Sequence, residues 1–164
     1  MAVFMTEALK AIQEVLDNQG LNYQFDEDKN VFSLSFSLKK TKLRSVQILM
    51  RVVASKKNPD ECLRINSHAF VGITADEESM NEVAEFLHRA NYGLIFGCFE
   101  LDYDDGDIRY RMACNCVDSL PGYDALEDLL YLPISMVERY GNGLLAVSMG
   151  VLSAEEAIKR IEGE

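Results

Sequence analysis

Two histidines and four cysteines are the side chains best suited to act as general base, nucleophile or soft metal ligand near neutral pH. His68 falls in a stretch that reads as a strand, and His88 sits one residue past Leu87, at the flank of a helical apolar stripe. Neither has a His, Cys or Asp neighbour at ligand spacing, so both read as structural or solvated. Cys62, Cys98, Cys114 and Cys116 lack the Cys-x-x-Cys pairing of a structural zinc site. Cys114 and Cys116 share one strand face, but two further ligands are missing nearby, and core thiols in a reducing cytoplasm are the expectation. The acidic run Asp102 to Asp107 fails as a calcium loop. Counted from Asp102, Asp107 stands where an EF-hand needs Gly, and Ala113 where it needs Glu. Gly141-Asn-Gly143 follows a helical run and lacks a third Gly, which suits a tight helix contact or break better than a phosphate cradle. The expectation is therefore a non-enzyme with no catalytic, cofactor-binding or metal-binding residues.

The elements that must carry these residues are well marked. Leu9, Ile12, Val15 and Leu16 recur at helical spacing, with Thr6 as the expected cap and Gly20 as the stop. Period 2 follows: Phe32, Leu34, Phe36 and Leu38 alternate with Ser33, Ser35 and Ser37, and Val46, Ile48, Met50 and Val52 form the next core face. A fourth strand is expected from Cys62 to Val71. Thr74-Ala-Asp-Glu77 matches a capping box before the stripe Met80, Val83, Ala84, Leu87 and Ala90, which Gly93 closes.

Asp105-Gly106 suits a two-residue type I′ turn. That turn would oppose Leu101 to Tyr110, Glu100 to Arg111 and Asp102 to Arg109, with one face apolar and the other paired in charge. From Tyr123 the pattern is helical, with Pro133 either kinking one helix or opening a second, and Ser153-Ala-Glu-Glu156 boxes a last short helix. The order of elements implies one α+β domain over residues 1–164, an antiparallel sheet packed against helices.

A formal charge of −11 argues against nucleic acid. Residues 39–57 nonetheless hold Lys39, Lys40, Lys42, Arg44, Arg51, Lys56 and Lys57 with no acid. A solvated hairpin tip and strand edge is the simpler reading of this segment; a basic patch for an acidic partner or a second subunit is the other. The opening ten residues have no charged region followed by an apolar run, and no stretch is long enough to span a membrane, so a cytoplasmic protein is expected.

The segment from Phe86 to Arg111, with Met136-Val-Glu-Arg-Tyr140, Leu144-Leu-Ala-Val147 and Ser153-Ala-Glu-Glu-Ala157, resembles the YbjN family of bacterial proteins. The resemblance implies a sensory transduction regulator with a fold similar to type III secretion chaperones, often dimeric and without established catalytic residues. No functional residue carries over from it. It leads us to expect a non-enzymatic interaction module, chaperone-like or regulatory, that holds a partner protein or segment. The alternative is a small-molecule sensor with a pocket between sheet and helices. The expected partner or dimer surface is the crowded C-terminal set Ile134, Met136, Val137, Leu144, Leu145, Val147 and Met149, unless these residues finish the monomer core.

Overall fold

The computed structural model describes residues 3–163, so Met1 and Ala2 of the opening segment lie outside the described residues. Its elements run α1 (Val3–Asn18), β1 (Gln24–Asp26), β2 (Val31–Ser37), β3 (Ser45–Ala54), β4 (Cys62–Thr74), α2 (Met80–Tyr92), β5 (Cys98–Leu101), β6 (Asp107–Val117), α3 (Tyr123–Ser148) and α4 (Ala154–Glu162). The strands form one antiparallel sheet in the order β1-β2-β3-β4-β6-β5. Strand alternation divides it sharply. Phe32, Ile48, Met50, Ile65, Ala69, Ile108 and Tyr110 face the helices and are buried, while their neighbours face solvent. α3 crosses the packed face over β3, β4 and β6, α1 packs beside it, and α2 and α4 close the far side.

Two start signals differ from the sequence reading. α1 begins at Val3, so Thr6 lies inside the helix and not at its cap. Thr74 is the last residue of β4, paired with Asp107, and cannot cap α2. Asp76 and Ser79 instead close the turn that leads into α2: Asp76 Oδ1 accepts the Ser79 N–H at 2.8 Å and Ser79 Oγ accepts the Asp76 N–H at 3.1 Å. The box before α4 forms as read, with Ser153 Oγ accepting the Glu156 N–H and Glu156 Oε2 accepting the Ser153 N–H.

The β5–β6 hairpin keeps its predicted faces but slips by two residues. Phe99 opposes Tyr110, Glu100 opposes Arg109 and Leu101 opposes Ile108. The turn is wider than two residues: Asp102 N–H donates to the Asp107 carbonyl, and the four residues between them make the loop. Gly106 sits at φ +74°, and its carbonyl accepts the Ala75 N–H at 2.9 Å. A Cβ there would lie 2.0 Å from the Ala75 oxygen, so the contact with Ala75, just past the end of β4, selects the longer loop. Asp102 consequently has no pairing with Arg109; Glu100 binds both Arg109 and Arg111.

α3 is one helix running through Pro133, not two. Gly141 and Gly143 lie inside it and let neighbours close in: a Cβ at Gly141 would meet Leu43 Cδ1 at 2.6 Å, and one at Gly143 would meet Ile161 Cδ1 at 2.6 Å. Asn142 Oδ1 accepts the Lys42 N–H at 2.8 Å and Glu138 accepts the Lys39 N–H at 3.0 Å. The motif thus pins the basic β2–β3 tip to α3.

Candidate interaction surface

Burial sorts the expected C-terminal surface. Val137, Leu144 and Val147 are 1% exposed and belong to the core; Ile134, Met136 and Leu145 are half-buried, and Met149 alone is open to solvent. The three buried members sit on the stripe of α3 that faces the sheet and neighbouring helices, so they cannot form a surface. The apolar face of that helix is taken up by contacts with the sheet and with α1, α2 and α4.

A patch the sequence reading did not single out lies between α2 and β5. Tyr92, Ile95 and Phe96 are 95%, 87% and 63% exposed within five residues of chain. Both ends of that loop are tied down. Asn91 takes the place of a neighbouring strand residue: its Oδ1 accepts the Phe99 N–H at 2.7 Å and its Nδ2 donates to the Phe99 carbonyl at 2.9 Å. The Tyr110 hydroxyl donates to the Phe96 carbonyl, and Leu94 N–H donates to the Asn91 carbonyl at 3.2 Å. Beneath the loop Phe99 stands edge-on to Tyr110 at 4.8 Å and to Tyr140 at 5.6 Å. Burial, with Cys98 adding to it, pushes the Tyr110 hydroxyl up to about 12, so it stays a neutral donor. Between this loop and α3 runs an apolar groove of about 200 Å³ lined by Leu94, Ile95, Phe96, Leu132, Met136 and Arg139. The signal in the sequence was the glycine-flanked run Gly93-Leu-Ile-Phe-Gly97, too short for either periodicity.

The chemistry-bearing residues stand apart. His68 is on the open face of the sheet, His88 is exposed on α2, and Cys98 and Cys114 face opposite sides. Burial, then the charge of Arg109, holds His68 below its ordinary value, favouring the neutral ring. The four cysteines are free thiols. Burial first, then Cys114, pushes Cys116 up to about 11, which leaves it protonated and a poor nucleophile. Asp102 and Asp105 spend carboxylate oxygens on the Asp104 and Asp107 N–H groups of their own loop. Among the described residues, no three His, Cys, Asp or Glu side chains are grouped to hold a metal, and no helix is long and apolar enough to cross a membrane.

The YbjN family model, described as "Putative bacterial sensory transduction regulator", matches residues 8–146. The chain belongs to the YbjN family. A comparison with curated proteins finds no match. Among solved structures, the YbjN-family chain is similar to YbjN from E. coli, at 11% identity and a TM-score of 0.52, covering 87% of this chain and 92% of that one. That likeness shows a shared fold. It is also similar to a chain in the ExsC-ExsE complex, at 16% identity and a TM-score of 0.49, covering 85% and 94% of the two chains.

Proposed function

We propose that this YbjN-family chain is a non-enzymatic protein-interaction module, regulatory or chaperone-like, that seats a partner segment in the groove between the Gly93–Gly97 loop and α3. One observation carries the reading: large apolar side chains are held out to solvent by a loop fixed at both ends. Exposing Ile95 and Phe96 forgoes roughly 1.5–3 kcal/mol of burial for each. A loop without a role would fold them in or be free to move. Fixing the loop in the unbound state also lowers the ordering cost of association. The family description as a sensory transduction regulator fits a module that acts by binding.

Self-association about a two-fold axis belongs to the same proposal, since Met136 of the groove and the exposed Met149 both lie on α3 or at its end. A cytoplasmic setting is part of the reading. The experiment is affinity capture from the native cytoplasm with the wild-type chain and with Ile95→Asp/Phe96→Asp. A partner retained by the wild type and lost from a variant with unchanged circular dichroism supports the groove, and identical capture profiles reject it. Static light scattering at micromolar concentration decides the dimer: a monomer mass throughout excludes it.

A further inference from the structure

The open face of the sheet differs in composition from the rest of the surface. In a chain of formal charge −11, alternation turns Arg51 of β3, Arg64 of β4 and Arg109 and Arg111 of β6 away from the helices. The register gathers them. Arg111 lies across from His68, Arg109 across from Glu100, Arg64 across from Asn115, and Arg51 across from Asn66. Glu100 is shared by two guanidiniums, which leaves one positive charge over, and hydrogen bonds from Arg111 and Arg109 outweigh its burial and hold it below the usual carboxylate range. Arg51 and Arg64 make no ion pair among the described residues; Arg64 Nε donates to Asn115 Oδ1 at 3.0 Å.

None of the six strands contains a lysine. Eight lysines occur in the chain, all in helices and loops. Arginine without lysine, interspersed with half-buried Leu49 and Phe70, is the composition of a protein-binding face; a solvated one would favour the strongly hydrated ammonium. At its centre Ala113 is too short to fill the space between its neighbours, and a groove of about 530 Å³ opens there, bounded by Arg64, His68, Arg111, its ion-pair partner Glu100 and the amides of Asn66 and Asn115.

We infer that this face docks an extended acidic segment of a partner protein, whose carboxylates are taken by Arg51, Arg64 and Arg111 and whose apolar side chains lie on Leu49 and Phe70. Guanidinium forks bind carboxylates through two parallel hydrogen bonds, and side chains alternating along an extended segment suit a surface that alternates charge with apolar area. A nucleic acid fits less well, because the rest of the molecule is acidic and a phosphate backbone makes no use of Leu49 and Phe70. The occupant follows from reading the chain as an interaction module, but the surface is separate from the Gly93–Gly97 groove.

The test is nuclear magnetic resonance titration of the full chain with a 14-residue peptide alternating Glu and Leu, a counterpart with Lys for Glu, and a single-stranded 14-nucleotide DNA. The acidic peptide should shift amide resonances of β3, β4 and β6, and the added negative charge should raise the pH at which His68 titrates. Arg51→Gln/Arg64→Gln breaks no ion pair; it should keep the fold and bind the acidic peptide at least tenfold more weakly. Equal binding by that variant, equal binding of the Lys peptide, or tighter binding of the DNA overturns the inference. Shifts confined to Gly93–Gly97 also overturn it and leave the groove reading standing. Peptide shifts on β4 and β6, together with a capture profile unchanged by Ile95→Asp/Phe96→Asp, support it and remove the groove reading.

Discussion

The apolar residues of α3 and those of the Gly93–Gly97 loop have opposite fates. α3 carries many more of them, yet Val137, Leu144 and Val147 disappear between the sheet, α2 and α4, while the short loop half-buries Leu94 and keeps Ile95, Phe96 and nearby Tyr92 in water. The number of apolar residues in an element therefore says how much surface it must cover. What stays exposed depends on where hydrogen bonds fix the backbone, and in this loop Asn91 and Tyr110 do so.

Substitutions can break this contrast, and the largest effect belongs to α3. Leu144→Ala should cost about 2–5 kcal/mol in urea unfolding, the range for a truncated core leucine. A loss under about 0.5 kcal/mol would mean that Leu144 is not core. Asn91→Ala comes next, because it strips partners from the N–H and carbonyl of Phe99. We expect a loss of about 1–3 kcal/mol and faster hydrogen exchange confined to residues 93–99, whereas uniform exchange would show that Asn91 does not hold the loop. Tyr110→Phe removes the tie to the Phe96 carbonyl and should cost about 1 kcal/mol at neutral pH.

The same residue sets an alkaline limit. Tyr110 titrates at about 12 in the folded chain and near 10 when unfolded, so the unfolded state releases its proton first as pH rises. Its contribution is complete below pH 10 and is lost between 10 and 12. Tyr140, pushed up to about 12 by burial and by its bond to Glu162, behaves alike. Denaturation midpoints should therefore fall from pH 10 upward, less steeply in Tyr110→Phe; a flat profile would refute the assignment. The smallest effect is at the exposed end of the comparison: Ile95→Ala should change stability by less than about 0.5 kcal/mol, so any defect it causes in partner capture reports binding alone.

Strand faces were legible in the sequence because period 2 needs only one buried side, and the serines of β2 and the core residues of β3 fall where alternation puts them. Register was not legible at β5–β6. Asp105-Gly106 announces a turn, but the turn's length is set by Ala75, which lies 31 positions from Gly106 and closes against it only in the fold. Thr74 departs from the capping expectation for a related reason: the pattern is present, but pairing with Asp107 claims the residue for β4. The groove escaped notice because a three-residue apolar run has no period. The arginine face could have been found by parity within each strand, but its convergence required the strand order, with β6 placed between β4 and β5.

The side-chain amide of Asn91 has a consequence for assembly. By occupying the outward backbone groups of Phe99, in the middle of the four-residue edge strand β5, it blocks that edge to an incoming strand. At the opposite edge β1 covers only Val31 to Ser33 of β2 and leaves Leu34 to Ser37 unpaired on the outer side. A sheet that can grow from one edge and not the other closes after a single pairing event. Any edge-to-edge contact between copies through the free part of β2 would stop at two, because open-ended stacking would need the β5 edge that Asn91 occupies.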